Sequence, residues 1–293
     1  MVKLSYREYQ NALRELGISY LGNYSQSAKM VLNEVVGNEI TYSLYLAPWT
    51  LAGSVNGKQI NTCPGGIHCH KSCLVNSGRA KIEQLTNGAG NSRIIQARIK
   101  KTRLFYENRP LFMAMLCYEL EKTMNYAYKR GYTFSVRLNC TSDISPLAFS
   151  VDGVNILEMY PHINFYDYTK VPARLSLPLK YNNYSLTFSF DGYNWDTCAK
   201  ALSMGINIAV VFESKIVPAT FKGYPVIDMT KSDLRYKDPK GINCGFCGFL
   251  EYHRTSNDYV NGHYVRPNTP FVIREDDPNV TYAFREEDEP EAI

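Results

Sequence analysis

Residues 133–139 read Thr-Phe-Ser-Val-Arg-Leu-Asn, and this stretch decides the fold class. Aromatic and β-branched residues bounded by polar ones are typical of a β-strand. Similar runs at 40–48, 163–168, 184–190, 206–213 and 226–228 predict further strands, and helical patterns occupy 152–159, 170–175 and 194–203. Alternation of strands with helices predicts a parallel sheet with crossover helices. We therefore expect an α/β fold, a partial or complete parallel (β/α) barrel.

The chain around this core divides into three segments by pattern. Residues 5–17 and 26–36 have apolar positions at helical spacing, which predicts N-terminal helices within residues 1–38. The barrel-like domain is expected at 39–250, and it includes a long helical pattern at 94–130 in which Pro110 opens a fresh helix. Residues 251–293 form a C-terminal extension, which is acidic beyond about residue 268 and is expected to be loosely attached.

Composition excludes several classes of protein. The 293 residues are 45% hydrophobic and 20% charged, so the chain can bury a core and disorder is not expected. A net charge of +4 is too small to indicate a nucleic-acid partner by itself. The charged opening does not resemble a signal peptide, and no apolar run has the length of a membrane span. We interpret the eight cysteines as thiols of a reducing compartment and expect the protein in the cytoplasm.

The densest chemistry lies at residues 63–73, which read Cys-Pro-Gly-Gly-Ile-His-Cys-His-Lys-Ser-Cys directly after a predicted strand. Cys63, Cys69 and Cys73 have the spacing Cys-x5-Cys-x3-Cys, and His68 and His70 flank the middle thiol. Three clustered thiolates suit an iron–sulfur cluster that leaves one iron open, or zinc with a further ligand. Unliganded thiols are the alternative, but three so close would be prone to oxidation. A metal site is our prediction.

A second pair of thiols occurs late in the chain. Cys244 and Cys247 form a Cys-x2-Cys knuckle in a segment that reads as a loop, and such a knuckle supplies two ligands for zinc or an iron–sulfur cluster. The knuckle would complete the first site or bind a second metal. Cys117 and Cys198 fall within helical patterns and are predicted to be buried hydrophobic residues.

Charged side chains follow several predicted strands. In parallel α/β proteins the active site lies at the carboxyl ends of the strands, because the loops there converge over the sheet. Cationic groups there suit an anionic substrate, and carboxylates suit hydroxyls, amines or proton transfer. The alternative is that polar residues mark where each strand leaves the core. The residues predicted to line the pocket are Arg137, Asp143, Asp167, Lys170, Asp191, Glu213 and Asp228.

Ordered blocks of this sequence resemble a family of bacteriophage proteins named after gene product 88. The blocks are the cysteine loop, Arg-Leu-Asn-Cys-Thr-Ser-Asp at 137–143, Phe-Tyr-Asp-Tyr-Thr-Lys at 165–170, and the strand segments 187–189, 209–212 and 226–228. The resemblance implies a phage origin and a location in the cytoplasm of an infected bacterium, and it implies no particular activity. The sequence departs from the family pattern at Cys140, where glycine is expected, and at 244–247, where a plain strand and loop are expected.

A second resemblance is to the radical S-adenosylmethionine enzymes, which also place a three-cysteine loop after the first strand of a partial α/β barrel. It implies a 4Fe–4S cluster on Cys63, Cys69 and Cys73, with S-adenosylmethionine as a further cofactor. The usual spacing in those enzymes is Cys-x3-Cys-x2-Cys, so the spacing Cys-x5-Cys-x3-Cys counts against S-adenosylmethionine binding.

Two functions are compatible with the sequence. The first is an iron–sulfur enzyme with an open-site cluster, acting on a nucleotide or a substrate related to nucleic acid. The second is a non-enzymatic module stapled by zinc or a closed cluster, which binds nucleic acid or a host protein through the basic run at 93–103 and the many tyrosines. We favour the enzyme, and iron over zinc, because a structural metal does not need charged residues at several strand ends.

Overall fold

The computed structural model describes residues 3–24, 33–35, 37–69, 73, 92–240, 245–252, 259–260, 263–264 and 270–283. The helices are α1 (Tyr6–Leu16), α2 (Arg93–Glu107), α3 (Arg109–Lys129), α4 (Ile156–Met159), α5 (Leu177–Lys180) and α6 (Trp195–Ser203). The first strands are β1 (Gly22–Asn23), β2 (Glu39–Leu44), β3 (Ser54–Val55), β4 (Lys58–Gln59), β5 (Thr133–Arg137), β6 (Ser150–Val151), β7 (Val154–Asn155), β8 (Asn164–Thr169) and β9 (Tyr184–Ser189). The remaining strands are β10 (Ile208–Glu213), β11 (Thr220–Phe221), β12 (Tyr224–Asp228), β13 (Cys247–Glu251), β14 (Tyr259–Val260), β15 (His263–Tyr264), β16 (Val272–Arg274) and β17 (Val280–Thr281).

One large sheet organises the molecule. Its strand order is β1-β2-β5-β8-β9-β10-β13-β12-β11-β17, with β16 paired to β10. The seven strands from β2 to β12 in this order are parallel, and β1, β11 and β17 add antiparallel pairs at the edges. Five neighbouring parallel strands occur in the sheet in the same order as in the chain, with helices between them: β2, β5, β8, β9 and β10. The prediction of an α/β fold with a mostly parallel sheet is confirmed, and the described ladders include none that joins β1 to β17.

Local sequence signals explain where the elements begin and end. Ser5 and Glu8 form a capping box at the start of α1, and Gly17 ends that helix in a left-handed conformation with φ of 60°. The long helical pattern is divided at Asn108, whose side chain caps α3, and Pro110 occupies the first turn as predicted. In the β3–β4 hairpin, Asn56 and Gly57 have φ of 49° and 74°, which the two-residue turn requires.

The two faces of the sheet differ in chemistry. Alternate residues such as Ile40, Val136 and Phe188 pack with the helices in one apolar core. The opposite face carries buried polar side chains, among them Thr41 and Ser135, whose hydroxyls lie 3.0 Å apart. Segment 229–240 covers that polar face through the contacts described below. This polar face can therefore hold ions and hydroxyls where an apolar core would exclude them.

A buried carboxylate fastens the N-terminal helix to this core. Glu119 of α3 accepts hydrogen bonds from the hydroxyls of Tyr9 and Tyr42 and from the backbone N–H groups of Leu21 and Gly22, the last two at 2.7 and 2.8 Å. The four donors come from α1, β1, β2 and the segment before β1. A single acidic side chain thus joins α1, β1 and β2 to α3.

Two parts of the chain differ from the sequence-based expectation. The segment that reads as a cysteine knuckle contains β13, a central strand between β10 and β12. The extension beyond residue 268 contributes β16 and β17 to the main sheet, so residues 270–283 are attached more closely than their acidic sequence indicates. The predicted helix at 26–36 lies mostly outside the described residues. None of the described helices combines the length and the apolar character that crossing a membrane requires.

Candidate functional site at the carboxyl edge of the sheet

The cysteine loop begins after β2 and is tied down at its base. The Thr62 hydroxyl donates to the Ala47 carbonyl at 2.7 Å, and the Thr62 carbonyl accepts from the Asp143 N–H at 2.7 Å. The Thr141 hydroxyl donates to the Leu46 carbonyl at 2.6 Å. These bonds join the loop to the residues that follow β5, so the thiols begin at the carboxyl edge of the sheet, as predicted.

The loop then crosses neighbouring strand ends. A side-chain carbon at Gly65 would lie 2.7 Å from the Lys170 carbonyl oxygen, so only glycine allows the loop to approach the end of β8 this closely. The His68 ring lies against the Tyr193 ring, with centroids 4.3 Å apart, in the segment that follows β9. The loop therefore extends over the ends of β5, β8 and β9.

Two of the predicted thiol ligands face the same space. A side-chain carbon at Gly66 would lie 3.2 Å from Cys63 Cβ and 3.4 Å from Cys69 Sγ. Both cysteines are partly exposed, and Cys63 Sγ lies 3.8 Å from the Thr141 carbonyl. Burial raises the pKa of the Cys63 thiol, and nearby Asp143 and Cys69 act in the same direction. A cation that replaces the thiol proton would relieve this unfavourable charge.

The third predicted thiol has different neighbours. Cys73 and Cys140 both interact electrostatically with Arg98 of α2, whose guanidinium lies 5.2 Å from the centre of the Tyr45 ring. Burial raises the pKa of Cys140 to about 11, opposed by Arg137. Among the described residues, no three histidine, cysteine or acidic side chains form a group that would hold a metal ion. His70 and Cys244 lie outside the described residues.

Asp143 and Asp167, two predicted pocket residues, are brought together by Arg174. Arg174 Nη2 lies 2.8 Å from Asp167 Oδ2, and Nη1 contacts Asp143 Oδ1. Asp143 also accepts from the Thr169 hydroxyl at 2.7 Å and from the Lys170 N–H at 2.8 Å. Burial raises the pKa of Asp167, and Arg174 opposes that rise. The two carboxylates are therefore held as parts of an internal network directly beside the loop base.

Arg137 forms a second internal pair on the polar face. Its Nη1 lies 2.7 Å from Asp233 Oδ2, and its guanidinium stands 4.7 Å from the centre of the Tyr168 ring. The Tyr166 hydroxyl donates to the same Asp233 oxygen at 3.3 Å. Asp233 belongs to segment 229–240, so this pair fixes that segment across the polar face. Arg137 lies near the predicted edge but faces a carboxylate of its own chain.

The other four predicted pocket residues are dispersed along the same edge. Lys170 follows β8, with its Nζ 5.2 Å from the centre of the Phe271 ring. Asp191 Oδ1 accepts from the Tyr193 and Asn194 N–H groups, both at 2.9 Å, and so shapes the loop before α6. Glu213 ends β10 opposite Arg274 of β16. Asp228 ends β12, caps the Thr230 N–H at 2.8 Å, and lies 3.5 Å from Lys231 Nζ.

The remaining cysteines lie inside the protein. Cys117 and Cys198 are buried in α3 and α6, as predicted. Cys247 is also buried in the apolar core, as the first residue of β13, with its Sγ 3.9 Å from the Phe221 carbonyl. The core position of Cys247 reflects the alternation of β13, which directs Cys247 and Phe249 to the same apolar face.

An open cleft borders the loop on the side of β9. It has a volume of about 600 Å³ and is lined in part by Tyr193, Trp195, Lys222 and Arg274. Lys222 Nζ stands 5.1 Å from the centre of the Trp195 ring. Tyr193 is 66% exposed, and its ring contacts His68, so the cleft and the cysteine loop share a wall.

Sequence reasoning missed Arg174, and it did not predict the buried partners of Asn139 and Arg235. Asn139 binds Asp167 through its side-chain Nδ2 at 2.8 Å. Arg174 lies in the apolar run Val-Pro-Ala-Arg-Leu, and a cation in such a run needs a buried carboxylate partner. That signal was available, because Asp167 lies seven residues earlier.

These features define a mixed α/β protein in which a cysteine loop follows the first parallel strand and lies across the carboxyl ends of its neighbours. The chain belongs to the gene product 88 family of bacteriophage proteins, whose family model matches residues 23–251. The resemblance noted in the sequence is thereby confirmed. No curated protein and no solved structure shows significant similarity to the chain.

Proposed function

We propose that this protein is an enzyme of partial-barrel architecture that carries an iron–sulfur cluster on its cysteine loop. The observation that carries the proposal is the position of Cys63 and Cys69, which flank one space beside Gly66 at the carboxyl edge of a parallel sheet. Substrates of parallel α/β proteins bind at this edge. A ligand site used only for stability would not need this position.

The donor set fits the group in part. Cys63 and Cys69 would supply two thiolates, and Cys73 would supply the third. An open-site 4Fe–4S cluster held by three thiolates supplies an iron with a vacant position for a substrate or for S-adenosylmethionine. Burial keeps the Cys63 thiol protonated in the absence of nearby positive charge. An iron–sulfur cluster or zinc would supply that charge and so favour the thiolate.

The cleft beside the loop supports a nucleotide as the substrate. Its volume of about 600 Å³ lies within the usual range for small-molecule sites, about 300–1,000 Å³. The exposed ring of Tyr193 and the ring of Trp195 suit a nucleobase, which stacks on aromatic side chains. Lys222 and Arg274 suit phosphate oxygens. In this proposal the carboxylates of Asp143 and Asp167 position the loop base, and the cleft supplies the contacts to substrate.

Metal analysis tests the proposal. The full chain is purified without oxygen and analysed for iron, acid-labile sulfide and zinc. We expect about four irons and four sulfides per chain, with visible absorption from thiolate-bound iron. Cys63→Ser and Cys69→Ser should each lose most of the iron, because serine is a poor ligand for this cluster. Cys117→Ala is the matched control: it removes a buried thiol that lies in α3, and it should keep the iron.

Other results would separate the alternatives. Stoichiometric zinc without a chromophore would refute the iron–sulfur proposal. Full iron content in both serine variants would show that the cluster does not depend on Cys63 and Cys69. S-adenosylmethionine binding is then tested on the iron-loaded protein by calorimetry.

A second candidate function is a binding module in which the metal has only a structural role. It is favoured by the internal pairing of Arg137, Asp143 and Asp167, which leaves these predicted pocket residues bound to their own chain. The basic run offers this module only a limited surface, because Lys101 is buried, and burial lowers its pKa to about 8. Zinc in the metal analysis, together with nucleic-acid binding that Lys222→Gln weakens, would support this function.

A further inference from the structure

A second cavity lies beside the amino ends of β9 and β10. It has a volume of about 250 Å³, and its lining includes Ser185, Thr187, Asn207, Arg235 and Lys240. None of the described residues that line it is acidic. The cysteine loop contacts residues that follow the carboxyl ends of β8 and β9, so the cavity and the loop lie at opposite ends of β9.

Arg235 is the feature of this cavity that needs explanation. The residue is 4% exposed, and its Nη2 donates to the Ser232 carbonyl. Its Nε and Nη1 are buried and have no hydrogen-bond acceptor among the described residues. The nearest carboxylate oxygen, Asp238 Oδ2, lies 3.4 Å from Nε and also lacks a hydrogen-bond donor. A buried guanidinium N–H without an acceptor costs free energy, so the folded chain retains unused capacity to bind an anion.

The surroundings of Arg235 add positive charge and rigid walls. Lys240 brings an exposed ammonium group to the rim, and Ser185 and Thr187 bring hydroxyls from β9. Asn207 is already fixed, since its Nδ2 donates to the Pro239 carbonyl at 3.0 Å and its Oδ1 accepts from the Phe246 N–H at 2.8 Å. A preformed wall with two cations nearby is the arrangement that recognises an oxyanion.

We propose that this cavity binds a phosphate-sized oxyanion through Arg235 and Lys240. Its volume of about 250 Å³ is below the range of about 300–1,000 Å³ that whole small-molecule ligands occupy, so it suits one phosphate group or free phosphate. The guanidinium would turn its free N–H groups toward the anion, and Lys240 would close the open side. This site is independent of the cysteine loop and of the proposed enzymatic function.

The proposal is tested by titrating the full chain with inorganic phosphate in a calorimeter, with sodium chloride keeping the ionic strength constant. We expect saturable binding by the wild-type chain. Lys240→Gln should weaken it by roughly tenfold, as expected for the loss of one charge-assisted contact, and Arg235→Gln should abolish it. Lys215→Gln is the matched control, because it also removes one exposed lysine charge but lies after β10, at the other end of that strand.

Two results would overturn the proposal. Binding that does not saturate in the wild-type chain would show that the cavity has no site, and equal affinity in Lys240→Gln and the wild-type chain would place the anion elsewhere. If Arg235→Gln does not fold, amide hydrogen exchange of the wild-type chain replaces it. Phosphate should then slow exchange at 185–187 and 207–208, and unchanged exchange there would also refute the site.

Discussion

Two buried arginines near opposite ends of the sheet differ in how completely they are paired. Arg174, beside the ends of β5 and β8, contacts two carboxylates and the Tyr184 hydroxyl. Arg235, beside the starts of β9 and β10, donates one hydrogen bond to a carbonyl and lies 3.4 Å from one carboxylate oxygen, of Asp238. Among the described residues, Nε and Nη1 of Arg235 have no hydrogen-bond acceptor, whereas in Arg174 only Nε has none. A paired guanidinium holds its neighbours in place, whereas an incompletely paired one has capacity left for a ligand. By this comparison Arg174 positions its neighbours, and Arg235 is the one that could bind a ligand.

The largest expected effect on stability comes from replacing Arg174. Arg174→Met leaves Asp143 and Asp167 buried without their counter-ion, and it should lower the free energy of unfolding by about 3–5 kcal/mol. Urea denaturation at pH 7 measures the change. Lys180→Met, which removes an exposed lysine charge six residues away, should change the free energy of unfolding by less than about 0.5 kcal/mol. Equal losses in the two variants would contradict the network that we describe.

A smaller effect should follow from the acid beside Arg235. Burial raises the pKa of Asp238 from its usual value to about 6, and Arg235 opposes the rise. The folded protein thus holds this proton more tightly than the unfolded chain does. The contribution of Asp238 to stability should therefore fall as pH increases from about 4 to about 6, and then stay constant.

Asp238→Asn removes this pH dependence. Relative to the wild-type chain, the variant should gain on the order of 2 kcal/mol of unfolding free energy between pH 4 and pH 7. Parallel denaturation series at the two pH values give the difference. A constant difference across that range would mean that Asp238 titrates as an ordinary exposed carboxyl.

The smallest expected effect on stability comes from replacing Arg235, the buried arginine at the cavity. Arg235→Gln removes a guanidinium that makes one hydrogen bond and one ion pair, with Asp238 at 3.4 Å, so the free energy of unfolding should fall by about 1.5 kcal/mol, well below the loss for Arg174→Met. The same urea series measures both variants. A loss at Arg235 as large as that at Arg174 would show that the chain already satisfies Arg235, and would weaken the case for an anion there.

The sequence predicted local structure well where pattern and caps agree. The strands β5, β8, β9 and β10 and the fresh helix at Pro110 were all predictable, because each depends on neighbouring residues. The strand β13 was not, since glycine and cysteine in its first half resemble a metal knuckle more than a central strand. Its strand character comes from partners β10 and β12, which lie 20 or more residues away in the chain.

The candidate site was predictable only in its location. The rule that polar residues gather at carboxyl ends placed Asp143, Asp167 and Lys170 beside the cysteine loop, and the structure brings these three together. The rule did not predict that Arg174 neutralises the two acids or that Asp233 occupies Arg137. Such pairings join residues as much as 96 positions apart, and residue type alone does not specify them.

Periodicity, caps and turn residues act over a few positions, so the amino-acid sequence was enough to give the α/β class, four of the parallel strands and the position of the cysteine loop after the first of them. Only the tertiary structure decided which charged groups are already paired and which are not. That outcome depends on burial and on distances between strand ends, which set how many partners a buried ion has. Arg174 and Arg235 have the same side chain. Their surroundings alone make Arg174 part of a structural ion-pair network and Arg235 part of a proposed anion site.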